Sequence, residues 1–255
     1  QLTELGPMQT SPSVLSKNQR SQVRALWRKK GRETAEQFLV ESPKAIAEFL
    51  EEGWPLITLY RNPQGPMSDH PKAVEIPPRE LAELSTQESP QGVLAIFGHK
   101  SLTPTQGGWV LVLDRVQDPG NVGTLLRLAD WFGVDYVALP PGTAEVFNPK
   151  VIQGSMGSIS RVPLVYGTPE ELLARFHAEG RSIYVADLGG EAPGALPRKA
   201  PAALVLGNEG QGPEAQWTEA AQHILTIPRG PQSKTESLNV GTAGAIALYA
   251  CLSQD

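Results

Sequence analysis

The chain has 255 residues, of which 40% are hydrophobic and 19% are charged, and its formal net charge is −5. This balance is typical of a globular protein with one large domain or two smaller ones, and no apolar run approaches the roughly 18 residues that cross a membrane. The single cysteine, Cys251, excludes an internal disulfide, and the four histidines are scattered without metal-ligand spacing, so we expect no metal site.

Residues 1–16 are rich in Ser, Thr and Pro, and we expect them to form a flexible tail. The first ten residues, QLTELGPMQT, lack the basic start and the apolar core of a secretory signal peptide. A lone cysteine also suits a reducing compartment. Together these features predict a cytoplasmic protein.

The segment 17–32, KNQRSQVRALWRKKGR, concentrates positive charge in an otherwise acidic chain. A helix is predicted over residues 18–30, with Val23, Leu26 and Trp27 on one face. A local basic face can bind nucleic-acid phosphates even in an acidic protein, because salt screening makes the interaction short-ranged. The alternative is an ordinary solvated helix face. The candidate RNA-binding residues of this segment are Lys17, Arg20, Arg24, Arg28, Lys29, Lys30 and Arg32.

Short strands and helices alternate from residue 17 to residue 100. The runs QFLVES, WPLITLY, KAVEIP and GVLAIFG have the length and composition of strands, and the segments PKAIAEFLEEG and PPRELAELS have helical spacing. Pro43 suits the first turn of the first of these helices, and Gly53 suits its end. The pattern predicts a small α/β domain, followed by a linker over residues 101–108, SLTPTQGG, which has little to bury.

A second α/β unit is predicted over residues 109–255. Its strands are WVLVLD, VDYVALP, RVPLVY, SIYVAD, AALVLG and HILTIP, which are continuously apolar, as strands covered on both faces should be. Predicted helices alternate with them over residues 121–132, 148–156, 168–179, 213–221 and 238–252. This alternation predicts a mainly parallel sheet. The ligand site of such a sheet lies at the carboxyl ends of its strands, so the loops that follow strands are the informative ones.

The first strand-end loop is DPGNVGTLLRLADWFG, residues 118–133, which places an arginine inside an apolar helix. Helical spacing puts Gly120, Thr124, Arg127 and Asp130 on one stripe. A guanidinium there suits a phosphate or carboxylate partner, and the alternative is a surface ion pair between Arg127 and Asp130. The residues expected on the buried side are Leu125, Leu128, Ala129 and Phe132.

The second strand-end loop is ALVLGNEGQGPEA, residues 203–215. Its residues 210–215 match G-x-G-x-x-A, a loose dinucleotide-binding pattern. The alternative is a tight glycine turn, with Pro213 in the first turn of the next helix. The pattern alone does not separate these interpretations.

The third strand-end loop is ILTIPRGPQSKTESLNVGTAGAIALYA, residues 224–250. It leads from a strand through a polar loop into a helix that is rich in small residues, which allow close approach to another helix or subunit. Ser237 is predicted to be the N-cap of this helix, with Asn239 turned toward the loop.

The order and spacing of four segments resemble those of a known protein family. The segments are DPGNVGTLLRLADWFGVD, FNPKVIQGSMGSISRVPL, LVLGNEGQGP and IP…SLNVGTAGAIALY. Over residues 109–252 the chain resembles the SpoU/TrmH family of RNA ribose 2′-O-methyltransferases, in the SPOUT superfamily. Residues 17–50 resemble the start of the small, ribosomal-protein-like (L30e-like) substrate-binding domain that precedes the catalytic domain in rRNA-directed members. GVLAIF is similar to the end of that domain.

The resemblance implies a Rossmann-like parallel sheet with a deep C-terminal trefoil knot, a homodimer, and S-adenosylmethionine bound in the knot loops without a metal. It implies an RNA-binding domain over residues 17–100 and a methyltransferase domain over residues 109–255. The residues that it places around the cofactor are Leu206, Gly207, Asn208, Glu209, Gly212, Ile227, Pro228, Ser237, Leu238 and Asn239. The residues that it assigns to catalysis are Asn121, Arg127, Glu209, Ser237 and Asn239.

The implied reaction is methyl transfer to a ribose 2′-hydroxyl, with 23S rRNA as the expected substrate and tRNA as the alternative. Arg127 is expected to anchor an RNA phosphate and to help deprotonate the hydroxyl. Because a guanidinium stays protonated, its contribution is expected to be mainly electrostatic.

Two other functions compete with this one. The first is a nicotinamide-dependent oxidoreductase that uses residues 210–215, with Arg229 placed for a 2′-phosphate. The second is a non-catalytic RNA-binding relative. The loop between Pro228 and Ser237 is longer than in the family's usual third motif and carries Arg229 and Lys234. These extra cations either contact RNA or are solvated.

Overall fold

The computed structural model describes residues 15–252, so most of the predicted tail, residues 1–16, lies outside the described residues. The two described residues of that tail are both held by hydrogen bonds. Leu15 is 4% exposed, and its backbone N–H donates to the carboxylate of Glu80 at 3.0 Å. The hydroxyl of Ser16 accepts from the backbone N–H of Gln19 at 3.2 Å and caps the first helix.

The N-terminal unit is a four-stranded sheet with helices beside it. Its helices are α1 (Lys17–Ala25), α2 (Lys29–Ala35), α3 (Pro43–Glu51) and α4 (Pro78–Leu84). Its strands are β1 (Gln37–Val40), β2 (Leu56–Arg61), β3 (Ala73–Glu75) and β4 (Val93–Gly98). The strand order is β1-β4-β2-β3, with β4 antiparallel to both of its neighbours and β3 parallel to β2. The strands predicted for this unit are all confirmed.

The helix predicted over residues 18–30 is wrong in one respect, because α1 and α2 are separate helices. A Cβ atom on Gly31 would lie 1.9 Å from the carbonyl oxygen of Ala25, so the start of α2 turns back against the end of α1. Val23 and Leu26 are buried as predicted. Trp27 is 40% exposed instead, and its ring N–H donates to the carbonyl oxygen of Leu84 at 3.0 Å.

The C-terminal unit is a six-stranded sheet in which every neighbouring pair of strands is parallel. Its strands are β5 (Trp109–Leu113), β6 (Tyr136–Leu139), β7 (Leu164–Tyr166), β8 (Ser182–Glu191), β9 (Ala202–Leu206) and β10 (His223–Leu225). Its helices are α5 (Pro119–Phe132), α6 (Pro149–Ser155), α7 (Pro169–Ala178), α8 (Ala215–Ala220) and α9 (Val240–Leu252). The strand order is β10-β8-β9-β5-β6-β7, and every residue of β5, β6 and β9 is buried. The predicted α/β fold with a parallel sheet is confirmed.

Helix α5 is held between α6 and α9 by glycines at both contacts. A Cβ atom on Gly123 would lie 2.8 Å from the Cα atom of Gly154 in α6. A Cβ atom on Gly244 in α9 would lie 2.5 Å from the side chain of Leu125 and 2.9 Å from that of Leu206. Small residues are therefore needed here because backbones approach closely. This packing fixes the orientation of the helix that carries Arg127.

An ion pair between a buried arginine and a partly exposed glutamate joins the two units. Arg32 is 3% exposed, and its Nη2 lies 2.5 Å from Oε2 of Glu145, which is 113 residues away in the chain. Its Nη1 donates to the carbonyl oxygen of Leu26 at 2.9 Å. Nearby, the ring N–H of Trp54 donates to the carbonyl oxygen of Ser160 at 2.9 Å. Arg32 is therefore a structural residue, and its prediction as an RNA contact is wrong because its guanidinium is enclosed and paired.

We expect Arg32→Ala to lower the free energy of unfolding by about 3 kcal/mol, because it leaves the carboxylate of Glu145 without its partner. Chemical denaturation would measure the change. The matched control is Arg28→Ala in the same segment, whose side chain is exposed and should leave stability within about 0.5 kcal/mol of wild type. Equal stabilities of the two variants would contradict a structural role for Arg32.

Candidate active site

Three strand-end loops meet at the carboxyl edge of the parallel sheet through a chain of side-chain hydrogen bonds. Asn239, after β10, donates through Nδ2 to Oδ1 of Asn121 at 2.9 Å. Asn121, in the first turn of α5, donates through its own Nδ2 to Oε1 of Glu209 at 3.1 Å. Glu209 follows β9. The structure thus brings together three of the residues predicted for catalysis, one from each motif, and we call them the Asn-Asn-Glu chain.

The start of α9 fixes the direction of this chain. Oδ1 of Asn239 accepts from the backbone N–H groups of Gly241 at 2.9 Å and Thr242 at 3.2 Å. Asn239 is therefore the N-cap of α9, and the predicted N-cap, Ser237, is wrong because the helix begins at Val240. Since the helix occupies the oxygen of Asn239, its NH₂ group faces Asn121, and the NH₂ group of Asn121 in turn faces Glu209.

Glu209 lies at the N-terminal end of α5. Its carboxylate accepts from the backbone N–H groups of Gln117 at 3.4 Å and Asp118 at 3.5 Å, in addition to Asn121. Asp118 caps the helix by accepting from the backbone N–H of Asn121 at 2.8 Å. A carboxylate is favoured at this position because the N-terminus of a helix carries partial positive charge. Glu209 is exposed, so its remaining acceptor positions are open to a ligand.

We expect Asn239→Asp to separate the helix cap from the Asn-Asn-Glu chain. Asp caps a helix as well as Asn does, so the melting temperature should change little. The new carboxylate would face the oxygen of Asn121 and turn that amide around, so that its oxygen faces Glu209. The methyl transfer that the sequence resemblance implies should fall about tenfold or more, as expected when a positioned donor is lost. An unchanged rate at unchanged stability would contradict a role for the direction of the chain.

The turn after β9 is closed on itself rather than open to a dinucleotide. Asn208 and Gly212 form a β-bridge, with backbone bonds of 3.2 and 2.9 Å. Oδ1 of Asn208 accepts from two backbone N–H groups within the turn at 3.0 Å each, and its Nδ2 donates to the carbonyl oxygen of Arg115 at 2.9 Å. The tight glycine turn is therefore the correct interpretation of residues 210–215. Asn208 holds this turn against the loop that follows β5.

Arg127 lies exposed on α5, and within residues 15–252 its guanidinium forms no hydrogen bond or ion pair. The predicted alternative, an ion pair with Asp130, is wrong. Asp130 binds Arg161 at 2.7 Å instead, and Arg161 also binds Glu48 of the N-terminal unit at 2.7 Å. The guanidinium of Arg127 thus remains available for a ligand. The buried residues of this helix are Val122, Gly123, Leu125, Leu126 and Ala129, while the predicted Leu128 and Phe132 are half-buried.

A cavity of about 340 Å³ lies beside Asn239, between the end of β8 and the loop that follows β10. Of the residues predicted for the cofactor, Ile227, Pro228, Ser237 and Leu238 line it. The others, Leu206, Gly207, Asn208, Glu209, Gly212 and Asn239, do not line its wall. The sequence analysis missed Ala186, Asp187 and Leu188, which form the opposite wall. The carboxyl-end rule applied to the predicted strand SIYVAD, which ends at Asp187, would have indicated them.

The walls of this cavity suit an amphipathic ligand. Leu188 is 63% exposed and Leu238 is 48% exposed, and both face the cavity. Asp187, Arg229 and Glu236 add charge of both signs at the lining. Exposed apolar side chains around a few polar groups are typical of small-molecule sites, and this volume lies in their usual range. S-adenosylmethionine, which joins a flat nucleoside to a charged amino acid, fits this set of residues.

The basic segment of the N-terminal unit contributes fewer free cations than predicted. Lys17, Arg28 and Lys30 are exposed and form no ion pair with any residue from 15 to 252. Three others are engaged in ion pairs, namely Arg20 with Glu80 at 3.2 Å, Arg24 with Glu83 at 3.6 Å and Lys29 with Glu33 at 3.6 Å. The exposed pairs remain free to exchange partners, because such contacts contribute little.

Among residues 15–252, no three His, Cys, Asp or Glu side chains come together as metal ligands. No helix in that range is long and apolar enough to cross a membrane.

Comparison with known proteins assigns both units. Residues 108–249 match the family model of the SpoU rRNA Methylase family, and residues 18–95 match that of the MRM3-like substrate binding domain. The 23S rRNA (guanosine(2553)-2′-O)-methyltransferase RlmP of Bacillus subtilis is 36% identical over 170 residues, which are 66% of this chain and 68% of that protein.

Two further proteins match nearly the whole chain. The 23S rRNA (uridine(2479)-2′-O)-methyltransferase of Streptomyces viridochromogenes is 28% identical over 268 residues, or 94% of this chain and 92% of that protein. The AdoMet-bound rRNA methyltransferase from Sinorhizobium meliloti superposes with a TM-score of 0.85 at 26% identity, covering 95% of this chain and 97% of that one. The family-model match spans more than half of the sequence and includes all three strand-end motifs. The chain belongs to the SpoU rRNA methylase family.

Proposed function

We propose that this protein transfers a methyl group from S-adenosylmethionine to a ribose 2′-hydroxyl of 23S ribosomal RNA. The observation that carries the proposal is the Asn-Asn-Glu chain, which joins the three family motifs beside the cavity, with the unpaired Arg127 on the same helix as Asn121. The names of the B. subtilis and S. viridochromogenes relatives support 23S rRNA as the substrate. The match of residues 18–95 to a substrate-binding domain supports an RNA-binding role for the N-terminal unit.

Each group of residues has a distinct task in this proposal. S-adenosylmethionine, when bound, supplies a methyl group on a positively charged sulfur. Leu188 and Leu238 hold its apolar part and exclude water. Arg127 binds the phosphate beside the target ribose, and its positive charge lowers the pKa of the 2′-hydroxyl, whose proton leaves to water. Asn239, Asn121 and Glu209 hold the three loops in register, so that the hydroxyl is positioned for attack.

We further propose that two copies of the chain form a homodimer through α5 and α9. Trp131 on α5 is 83% exposed, and Tyr249 and Ile246 on α9 are 65% and 38% exposed. Large exposed apolar side chains on two packed helices are typical of a subunit interface. Light scattering after size exclusion would measure the mass, and a monomer at micromolar concentration would contradict the dimer.

Several finer features of the family belong to the same proposal. They are a C-terminal trefoil knot, an L30e-like fold for residues 17–100, a linker over residues 101–108 and a methyltransferase domain over residues 109–255. Helix α9 returns from the edge strand β10 to pack on α5 and β9, as a C-terminal knot requires, and this supports that part of the proposal. A cytoplasmic location agrees with a ribosomal RNA substrate.

The test of the proposed function is transfer of labelled methyl from S-adenosylmethionine to 23S rRNA transcripts and to tRNA. We expect label in 23S rRNA and none in tRNA. Label in tRNA alone would show that tRNA, the alternative, is the substrate. Cofactor binding without label in either RNA would favour the non-catalytic relative. Binding of a nicotinamide cofactor without binding of S-adenosylmethionine would favour the oxidoreductase.

A further inference from the structure

A second cavity, of about 700 Å³, lies between the N-terminal unit and the parallel sheet. From the sheet it is lined by residues 139–145, which follow β6, and by Tyr166 and Thr168 at the end of β7. From the N-terminal unit it is lined by Lys29 and His99, among others. It shares no lining residue with the cavity beside Asn239. We call it the interdomain cavity.

The wall of the interdomain cavity is hydrogen-bonded to the segment between β5 and α5, which leads into the candidate active site. The hydroxyl of Thr143 donates to the carbonyl oxygen of Leu113 at 2.5 Å. The backbone N–H of Ala144 donates to the carbonyl oxygen of Val116 at 2.9 Å. The next residue, Gln117, donates to Glu209. The interdomain cavity therefore lies on the same edge of the sheet as the Asn-Asn-Glu chain, one loop away from it.

The lining offers flat aromatic surface. Tyr166 is 63% exposed at the cavity wall. The ring of His99 packs edge-on against Phe147, with centroids 4.3 Å apart, and against Phe38, with centroids 5.5 Å apart. Burial lowers the pKa of His99 below its ordinary value and so favours the neutral ring, although the carboxylates of Glu145 and Glu36 oppose this shift. Neutral aromatic rings are the surfaces on which unpaired bases stack.

The charges of the lining favour a base over a phosphate. Its acids are each already engaged, Glu145 with Arg32 at 2.5 Å, Glu33 with Lys29 at 3.6 Å and Glu171 with the backbone N–H of Thr168 at 2.8 Å. Lys29 is the one Lys or Arg among the residues that line the cavity, and it stands against the three carboxylates. A phosphate would meet too little positive charge here. The carboxylates of Glu33 and Glu171 each keep a second oxygen, which can accept a hydrogen bond from the exocyclic amino group of a base.

We propose that the interdomain cavity receives an unstacked nucleobase of the RNA strand next to the target ribose, with Tyr166 as its stacking platform. The inference rests on the proposed function and names a specificity site for it. A base held between the two units would fix the neighbouring ribose relative to Arg127. Recognition of single-stranded RNA commonly uses such splayed bases.

The first test compares Tyr166→Ala with Tyr166→Phe, which keeps the ring. The RNA is the segment of a 23S rRNA transcript that the wild-type protein protects from cleavage, so its choice does not depend on methylation. We expect Tyr166→Ala to weaken RNA affinity about tenfold or more, and Tyr166→Phe to stay within about twofold of wild type. The affinity for S-adenosylmethionine and the melting temperature should not change in either variant.

The second test places an abasic nucleotide at each position of that segment in turn. At one position, the loss of affinity from the abasic site and from Tyr166→Ala should fail to add, because both changes remove the same stacking contact. Additive losses at every position, or wild-type affinity of Tyr166→Ala, would overturn the inference. If the wild-type protein binds the RNA but transfers no methyl group, the proposed function fails and this affinity cycle still decides the cavity. Failure of the wild-type protein to bind 23S rRNA would overturn both.

Discussion

Replacing Arg127 by alanine is expected to lower the rate of methyl transfer at saturating substrates by about 10²–10³-fold, the usual effect of removing one positioned electrostatic group. The guanidinium forms no contact within residues 15–252 that its loss could disturb. The free energy of unfolding should therefore stay within about 0.5 kcal/mol of wild type. The affinity for S-adenosylmethionine should also be unchanged, because Arg127 does not line the cavity beside Asn239.

Two further variants sharpen this expectation. Arg127→Lys should recover only part of the rate, because an ammonium carries the charge but lacks the planar fork that binds a phosphate through two hydrogen bonds. Arg79→Ala is the matched control, since that side chain is 92% exposed on α4, far from the three motifs in sequence. A rate for Arg127→Ala within twofold of the control would contradict the role proposed for Arg127.

The second large effect is expected from Gly207→Ala in the turn after β9. A Cβ atom at this position would lie 2.1 Å from the backbone nitrogen of Pro213 and 2.4 Å from the carbonyl carbon of Gly212. These are backbone atoms, so the turn itself must move. We expect the free energy of unfolding to fall by about 1–3 kcal/mol, as overpacking usually costs. Displacement of Glu209 should lower methyl transfer more than tenfold.

The matched control for this variant is three residues away. At Gly210 a Cβ atom would meet only Oδ1 of Asn208, at 3.7 Å, and the backbone is not in the left-handed region. Gly210→Ala should therefore keep both stability and methyl transfer close to wild type. Thermal unfolding and the labelled-methyl assay would measure the pair. Equal behaviour of Gly207→Ala and Gly210→Ala would show that the close approach at Gly207 is not needed.

Much of the fold could be predicted because its strands are continuously apolar and its helices alternate with them. The six strands of the parallel sheet, and the position of the motifs at their carboxyl ends, follow from this pattern alone. The exact ends of the helices are harder to predict from the sequence. Ser237 and Asn239 are both good N-caps, and the choice of Asn239 depends on where α9 packs. Gly241 sets that packing, since a Cβ atom there would lie 3.3 Å from Thr124 of α5.

The wrong predictions for the candidate site concern contacts between residues that are far apart in the sequence. In the sequence, Arg32 has the pattern of an exposed basic residue. In the structure it is buried and paired with Glu145 of the other unit. Arg127 and Asp130 have the spacing of a helical ion pair, but Asp130 forms its ion pair with Arg161 instead. The wall formed by Ala186, Asp187 and Leu188 lies within β8, because that strand extends to Glu191, beyond the apolar run that predicted it. A local sequence pattern cannot indicate partners that lie this far away in the chain.

The measurement that tests the central claim most directly is the chemical position of the transferred methyl group. Wild-type protein would label 23S rRNA with methyl from S-adenosylmethionine, and the RNA would then be hydrolysed in alkali. Alkaline cleavage needs a free 2′-hydroxyl, so a 2′-O-methylated nucleotide remains joined to its 3′ neighbour. We predict that the label appears in alkali-stable dinucleotides and disappears with Arg127→Ala. Label in mononucleotides would place the methyl group on a base and contradict the account.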